Sequence, residues 1–163
     1  MAIDLHLLYE KQAELDATIA KNHHISYATT REKRLLALLV ELGEFANATR
    51  CFKYWSHKES EPKKVVLDEY VDGLHFFLSL GIDINVSKKV YRYSKHATDL
   101  TAQILETYRL VGLFIAKQDE QSYVRAFRSF INIVPLLKVK WSTIEKAYYE
   151  KLEENYHRQN SHY

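Results

Sequence analysis

The sequence has few of the residues that loop-rich folds require. Its 163 residues include one cysteine, two prolines and four glycines, against a usual combined share of about 12% for glycine and proline. A β-sandwich or barrel needs many turn residues, so this scarcity excludes most all-β folds. No glycine-rich phosphate loop can be built, which argues against dinucleotide-binding and P-loop folds. The single cysteine, Cys51, excludes an internal disulfide.

Long apolar runs and a strong charge of either sign are also missing. The stretch from Leu35 to Val40 ends at Glu41, so we expect no segment that spans a bilayer and no membrane partner. A net charge of +2 without a basic stripe predicts no nucleic-acid binding. The first residues lack the basic and apolar parts of a secretion signal, so we expect a cytoplasmic protein. A chain of this size, 47% hydrophobic, predicts a single domain over residues 1–163.

Hydrophobic periodicity predicts helices along the whole chain. The first is predicted from Ile3 to about Ala20, the second from a capping box at Thr29 and Glu32 to about Trp55, and the third from Pro62 to Leu80 with Gly81 as its stop. The fourth is predicted from Ser87 to about Lys117, the fifth from Asp119 to about Pro135, and the sixth from a capping box at Ser142 and Glu145 towards the C-terminus. The expected fold class is an all-α bundle of five to six helices.

Two pairs of carboxylates interrupt the apolar faces of consecutive predicted helices. Glu41 and Glu44 lie in the second helix, and Glu69 and Asp72 lie in the third. Each pair is spaced i, i+3, so both of its acids share one helix face. No lysine or arginine stands three or four residues from these acids, so we predict divalent cations as their counter-charge. Oxygen ligands of this kind suit Mg²⁺ or Mn²⁺.

Two glycines favour the same interpretation. Gly43 lies inside the first pair and Gly73 follows the second, although glycine within a helix costs about 0.5–1 kcal/mol relative to alanine. A close approach of the two helices at these glycines would bring both acid pairs onto shared ions. Acids spaced i, i+3 are also common on solvated helix faces, so a purely structural role is the alternative.

Three further features have both a functional and a structural interpretation. His75, one turn beyond Asp72, is either a ligand contact or a hydrogen-bonded core residue. Trp55 either packs at a helix end or stacks on a base. Glu154 and His157 form a single Glu-x-x-His, whereas di-iron bundles use two on separate helices. The last helix carries donors along one face that is either solvated or binds phosphate: Lys151, Asn155, Arg158 and Gln159.

Several strings in the sequence, taken together, match the motifs of one enzyme family. They are Glu41-x-x-Glu44, Phe52-Lys53-x-Trp55, Glu69-x-x-Asp72-Gly73-Leu74-His75-Phe76, Gln12-x-x-Leu15-Asp16, and the tail from Lys151 to Tyr163 with Asn155 and Arg158. This pattern resembles the dimeric, all-α dUTPase family, part of the helical nucleotide pyrophosphatases that include MazG-type enzymes. The acid pairs are common to the superfamily, and the Phe-Lys-x-Trp and Asp-Gly-Leu-His-Phe strings are typical of dUTPases. The resemblance covers nearly the whole chain.

The resemblance implies Mg²⁺-dependent hydrolysis of dUTP, and also of dUDP, to dUMP. Glu41, Glu44, Glu69 and Asp72 would bind two or more Mg²⁺ ions, with Mn²⁺ as a substitute. Glu44 would be the catalytic residue that orients or deprotonates the attacking water.

It also implies a set of substrate contacts. Gln12 would read the uracil edge, beside Asp16 at a position where the family often has asparagine, and Trp55 would pack on the base. His75 and Phe76 would line the deoxyribose and discourage a 2′-hydroxyl. The residues that would hold phosphates or complete the closed site are Lys53, Lys151, Asn155 and Arg158.

The resemblance further implies a homodimer. The fourth and fifth helices carry more apolar surface than a small bundle needs, which is compatible with an interface: Tyr91, Tyr93, Leu110, Leu113, Phe114, Phe127 and Phe130. Two alternatives stay open. A MazG-like pyrophosphatase of other nucleotides would keep the four acids but not the base contacts of Gln12 and Trp55. A non-enzymatic helical interaction protein would carry the acids on its surface.

Overall fold

The computed structural model describes residues 1–162 and shows an all-α bundle with one small sheet. The helices are α1 (His6–His23), α2 (Tyr27–Thr49), α3 (Lys63–Asp83), α4 (Leu100–Lys117), α5 (Glu120–Ile131), α6 (Ile133–Leu136) and α7 (Trp141–Asn160), and the strands are β1 (Ala2–Asp4) and β2 (Val90–Arg92). Six of these helices have 12 residues or more, and α6 is a single turn, so the predicted fold class is confirmed. Within residues 1–162, no helix combines the length and apolar character needed to cross a membrane.

Helix α3 lies at the centre of the bundle. It contacts α1, α2, α5 and α7, and 12 of its 21 residues are buried, as expected for a helix that is apolar nearly all round. Tyr70 stacks on Phe130 with ring centroids 4.2 Å apart, and Phe77 stacks on Phe127 at 4.9 Å. This packing makes α3 a rigid support for the polar side chains that it carries.

The two strands form an antiparallel pair that joins the N-terminus to the segment before α4. Their register places Ala2 opposite Arg92, Ile3 opposite Tyr91 and Asp4 opposite Val90. Ile3 and Tyr91 are buried while their neighbours are exposed, which is the alternation of a half-buried strand. The predicted helix starts at Ile3 and Ser87 are therefore wrong, because both segments follow a two-residue period over only three residues.

Both predicted capping boxes are also wrong. Helix α2 begins earlier, after Ser26, whose Oγ accepts a hydrogen bond from the backbone N–H of Thr29 at 3.3 Å. In return, Thr29 Oγ1 accepts from the backbone N–H of Ser26 at 3.0 Å. Helix α7 begins at Trp141 with no side-chain cap, so the pattern at Ser142 and Glu145 lies inside the helix.

Four predicted helix ends differ from those observed. Helix α1 continues to His23 instead of about Ala20, and α5 stops at Ile131 instead of about Pro135. Helix α2 stops at Thr49 instead of Trp55, because Arg50 adopts the left-handed conformation with φ of 56° and its N–H bonds the carbonyl of Ala46. Helix α3 continues past Gly81 to Asp83. Gly81 serves packing instead of termination, since a Cβ there would lie 2.7 Å from the ring of Tyr123.

The apolar residues that suggested a dimer interface lie mostly in the core. Leu110, Phe114, Phe127 and Phe130 are buried, as is Tyr91. They fill the space between α3, α4 and α5, so the argument from surplus apolar surface was wrong for these residues. A different set of apolar side chains is exposed on α2 and α4, including Leu36, Val40 and Leu105.

Candidate active site

A buried ion-pair cluster sets the alignment of α2 and α3. Arg31 Nη2 lies 2.5 Å from Asp83 Oδ1, and Arg34 Nη2 lies 2.6 Å from Asp83 Oδ2. The Asp83 side chain is 3% exposed, so the two arginines replace water as the partners of its carboxylate. The start of α2 thereby meets the end of α3. The helices run antiparallel, and the second half of α2 lies beside the first half of α3.

This alignment brings three of the predicted acids together. One carboxylate oxygen from each of Glu41, Glu69 and Asp72 lies within 4.8 Å of the others, and all three residues are half-buried. Glu41 Oε2 is buried and has no hydrogen-bond partner among residues 1–162. A buried carboxylate oxygen without a donor is costly, and a bound cation is the group that would satisfy it.

Burial and mutual repulsion raise the pKa values of this cluster. Burial, together with the charges of Asp72 and Glu44, raises the pKa of Glu41 to about 8. Burial, followed by the charge of Asp72, raises the pKa of Glu69. Burial also raises the pKa of Asp72, although Lys151 opposes that rise. The cluster is thus short of positive charge.

Glu44 stands at the solvent edge of the cluster. Its side chain is exposed, and it lies close enough to Glu41 and Glu69 to raise the pKa of both. It is outside the three acids whose oxygens converge. The prediction that all four acids interrupt a buried surface is therefore wrong for Glu44, which is open to water.

One counter-charge does reach the acids, and it comes from α7. Lys151 Nζ lies 3.4 Å from Asp72 Oδ2 and 3.5 Å from Glu154 Oε2. Lys151 belongs to a different helix, so the spacing of residues within α2 and α3 does not indicate it as a partner of the acids. A single lysine cannot balance four carboxylates, and the shortage of positive charge remains.

The two glycines beside the acids have a different role from the one predicted. A Cβ on Gly43 would lie 3.2 Å from the hydroxyl of Tyr108, and that hydroxyl donates to the carbonyl of Leu39 at 3.0 Å. A Cβ on Gly73 would lie 3.3 Å from the ring of Phe130. The glycines therefore admit aromatic rings from α4 and α5, and the prediction that they allow close contact between α2 and α3 is wrong.

A buried polar network lies one helical turn from the acids. His75 Nδ1 is 2.6 Å from Gln12 Oε1, and the hydroxyl of Tyr148 donates to the same oxygen at 3.1 Å. Gln12 Nε2 donates to Asp16 Oδ1 at 2.9 Å, and Tyr27 donates to Asp16 Oδ2 at 2.9 Å. Gln12 is thus buried. Its amide oxygen already accepts two hydrogen bonds, whereas one of the two hydrogens on Nε2 is not used by this network.

His75 is a neutral ring within this network. Burial, followed by the positive charge of Lys151, lowers the pKa of His75 to about 3, and the ring stacks on Tyr148 with centroids 4.3 Å apart. Because an amide oxygen only accepts, the ring proton belongs on Nδ1, which faces Gln12. Nε2 is then an acceptor, and it is buried without a hydrogen-bond partner in the described part of the chain.

Lys53 and Trp55 lie in the loop between α2 and α3, away from the helix that was predicted to carry them. Trp55 is 64% exposed and makes edge contacts with Phe52 and Tyr54 at 6.0 and 5.1 Å. Lys53 Nζ lies 5.8 Å from the ring centroid of Phe52. The loop is held to the end of α2, since Arg50 donates to Ser56 and Lys58. Phe76, on α3, is half-buried against the core.

The predicted tail residues follow the exposed end of α7. Arg158 Nη2 lies 2.5 Å from Glu154 Oε1, and Asn155 is half-buried one turn beyond Lys151. The end of α7 is fixed to α1, because Gln159 Oε1 lies 3.3 Å from Asn22 Nδ2 and 3.2 Å from His23 Nε2. Tyr163, which the resemblance included in the last motif, lies outside the described residues.

Three residues of this site were not found from the sequence. Tyr148 and Tyr27 complete the network around Gln12, and Glu154 bridges Lys151 and Arg158. Tyr148 stands three residues before Lys151, so the shared face of the last helix was an available signal. The role of Tyr27 depends on the crossing of α1 and α2 and left no signal in the sequence.

The acids fit a divalent metal on chemical grounds. They supply only oxygen ligands, and they include an orphaned buried oxygen on Glu41. Hard cations such as Mg²⁺ and Mn²⁺ prefer such oxygens and keep several water ligands, which the exposed edge at Glu44 would admit. Glu41, Glu69 and Asp72 are the residues best placed to hold the ion.

Comparison with known proteins identifies the family of the chain. The sequence model of the dUTPase family matches residues 4–163, a range that contains all of the acids and the Gln12 network. A search of curated proteins gives no significant match. The helical fold described above identifies the all-α type of dUTPase. The chain therefore belongs to the all-α dUTPase family, whose enzymes hydrolyse dUTP.

Proposed function

We propose that the chain hydrolyses dUTP, and also dUDP, in a Mg²⁺-dependent reaction at the acids of α2 and α3. The convergence of Glu41, Glu69 and Asp72 around an unpartnered carboxylate oxygen carries this proposal. A nucleoside triphosphate is strongly anionic and needs cations to enter an acidic site. Without metal ions the acids would repel the triphosphate. With metal ions bound, the same acids would hold it through those ions.

Glu41, Glu69 and Asp72 would hold the ions, with Glu44 as a fourth ligand from the solvent side. When bound, Mg²⁺ supplies the positive charge that neutralises phosphate oxygens and favours ionisation of water. Glu44 would orient the attacking water and accept its proton, because it is the acid of the cluster that is exposed. Glu41 and Asp72, which are half-buried, would fix the position of the ions.

The positive side chains of α7 would hold the phosphates. Lys151 already lies beside Asp72, so a phosphate bound to the metal ions would come within reach of its ammonium group. Arg158 stands two turns further along the same face, and Asn155 lies between them. Lys53 would reach the substrate from the loop between α2 and α3.

The network around Gln12 would recognise the nucleoside. The remaining Nε2 hydrogen of Gln12 can donate to a uracil carbonyl, while Asp16 and His75 hold the amide in one orientation. His75 Nε2, as an unpartnered acceptor, would receive a hydrogen bond from a sugar hydroxyl, with Phe76 beside it. Trp55 would stack on the base, which would protect part of its exposed ring. A site matched to uracil would reject cytosine strongly, because its polar groups would be left unpaired.

A nucleotide panel tests this function. The purified protein is incubated with dUTP, dUDP, dCTP, dTTP and UTP, with and without Mg²⁺. The reaction is then stopped by removal of the protein, Mg²⁺ is added to all samples, and released phosphate is measured after treatment with inorganic pyrophosphatase. We expect Mg²⁺-dependent release from dUTP, release from dUDP, and much slower release from the other nucleotides.

The alternatives give different results in the same assay. Comparable turnover of all the nucleotides would indicate a MazG-like pyrophosphatase without base selection. No turnover of any nucleotide by folded protein, at any Mg²⁺ concentration, would contradict the enzymatic function altogether.

We also propose that the protein is a homodimer that associates through α2 and α4. Thr101 Oγ1 contacts the carbonyl of Cys51 and Tyr108 contacts that of Leu39, so the two helices run antiparallel. Their outer faces carry exposed apolar side chains, with Leu36 63% exposed and Leu105 65% exposed. Light scattering after size-exclusion chromatography should give twice the mass of the chain, and a monomer at micromolar concentration would contradict this proposal.

A further inference from the structure

Glu154 bridges two cations of α7. Its Oε2 lies 3.5 Å from Lys151 Nζ, and its Oε1 lies 2.5 Å from Arg158 Nη2. The three residues are spaced i, i+3 and i+7 along α7, so they occupy one face of that helix. One carboxylate thereby uses a separate oxygen for each cation.

The environment of Glu154 differs from that of the acids on α2 and α3. Its side chain is 45% exposed, and two cations balance it. Lys151 is shared between Glu154 and Asp72, which connects this ion-pair row directly to the acid cluster. Glu154 is therefore joined to Asp72 of the acid cluster through a single lysine.

We propose that Glu154 is an internal substitute for a substrate phosphate, occupying Lys151 and Arg158 until a polyphosphate displaces it. This inference rests on the proposed function, because it takes these cations as phosphate ligands. Glu154 is not among the predicted site residues. Unlike a residue that binds the substrate, it weakens the binding of phosphate.

The geometry and charge favour such an exchange. A phosphate group offers several anionic oxygens and binds Lys and Arg side chains through charge-assisted hydrogen bonds. Glu154 is on the solvent side, so its carboxylate can rotate into water when a phosphate replaces it. While the site is empty, the same carboxylate keeps Lys151 and Arg158 in place on one face of α7.

A polyphosphate must break the ion pairs of Glu154 before it can bind, and this cost lowers the apparent affinity for every polyphosphate, including the pyrophosphate product. Removal of its charge should therefore strengthen binding, whereas removal of a residue that assists binding would weaken it. This difference in sign makes the role measurable.

The test compares Glu154→Gln with wild type and with Glu153→Gln. Glu153 is the adjacent residue, exposed and without a hydrogen bond or ion pair to the described residues, so its variant controls for the loss of one negative charge on α7. Calorimetry with inorganic tripolyphosphate in the presence of Mg²⁺ gives the affinity for a polyphosphate that carries no nucleoside. Steady-state kinetics with dUTP and Mg²⁺ give KM, kcat and the inhibition constant of pyrophosphate.

We expect Glu154→Gln to bind tripolyphosphate about three- to tenfold more tightly than wild type, because the ion pairs of Glu154 with Lys151 and Arg158 no longer compete with the phosphate. KM for dUTP and the inhibition constant of pyrophosphate should fall by similar factors, while Glu153→Gln changes each by less than about twofold. A larger fall in KM than in kcat separates this role from a structural one.

Weaker or equal binding of tripolyphosphate by Glu154→Gln would overturn the proposal, and so would absence of binding to either protein. Weaker binding with a lowered thermal midpoint would show that Glu154 only orders α7. The calorimetric result does not require turnover. Tighter binding in a protein that fails to hydrolyse dUTP would therefore refute the proposed function and leave the role of Glu154 standing.

Discussion

The substitution Glu41→Gln should make the metal-free protein more stable, although it should also abolish metal binding. Burial and the neighbouring acids raise the pKa of Glu41 from 4.5 to about 8. At pH values below about 4.5 the residue is protonated in both states, and it has no effect on stability. Between the two values the unfolded chain loses its proton while the folded protein keeps it, so the free energy of unfolding falls as pH rises. Above pH 8 Glu41 is ionised in both states, and the full penalty that its buried charge imposes on the free energy of unfolding is present.

The size of this effect follows from the half-buried position of Glu41. Solvent screens part of the repulsion, which leaves a penalty of about 1–2 kcal/mol at pH 8.5. Glutamine has nearly the same shape and no charge, so it removes the penalty. For a chain of this length, the thermal midpoint should rise by about 2–4 °C per kcal/mol.

The assay is thermal or urea unfolding in EDTA at pH 8.5 and at pH 5, followed by circular dichroism at one protein concentration. We expect Glu41→Gln to have a higher thermal midpoint and a higher free energy of unfolding than wild type at pH 8.5, with a smaller difference at pH 5. Added Mg²⁺ should stabilise wild type and leave the variant unchanged. Glu32→Gln, an exposed position on the same helix, is the control for charge. If Glu41→Gln lowers the stability at pH 8.5 in EDTA, the repulsion argument is refuted.

Five other substitutions test separate parts of the molecule. Glu44→Gln should retain folding and nucleotide binding but lower kcat by about 10²-fold or more, as for loss of a general base; an unchanged kcat would remove this role. Trp55→Ala should weaken binding of a non-hydrolysable dUTP analogue by about 1–3 kcal/mol in calorimetry, with no change in the thermal midpoint because the ring is exposed; an equal affinity would show that it does not stack. Gly81→Ala should lower the free energy of unfolding by about 1–3 kcal/mol, since its Cβ would overlap a buried tyrosine ring. Gly112→Ala, where a Cβ would meet no described atom within 4 Å, should raise it by about 0.5–1 kcal/mol, and equal effects in urea titrations would refute the packing argument. Leu36→Glu should shift the protein to a monomer in light scattering, and a persisting dimer would exclude this face.

The acid pairs could be predicted because helical spacing alone places i and i+3 on one face. The fold class followed from the same periodicity, together with the scarcity of glycine and proline. The partners of the acids could not be predicted in this way. Lys151 reaches Asp72 from a helix about 80 positions later, and only the packing of α7 on α3 makes them neighbours.

Short-range signals failed where tertiary contacts decided the outcome. The segment Val90–Arg92 is too short for its alternation to be distinguished from a helical pattern, and it becomes a strand because β1 pairs with it. The end of α2 depends on the left-handed conformation of Arg50, which arginine seldom signals. Gly43 was interpreted as a point of helix contact, whereas its space is filled by a tyrosine hydroxyl from α4.

The two tryptophans give this protein a pair of built-in optical probes. Trp141 is 4% exposed at the start of α7, whereas the indole of Trp55 is largely in water. A soluble quencher such as acrylamide should therefore reach one indole and spare the other. Changes in the quenchable fraction would report events in the loop between α2 and α3, and a red shift of the protected fraction would report loss of the helical core. One fluorescence experiment can therefore separate ligand binding at that loop from unfolding without any label.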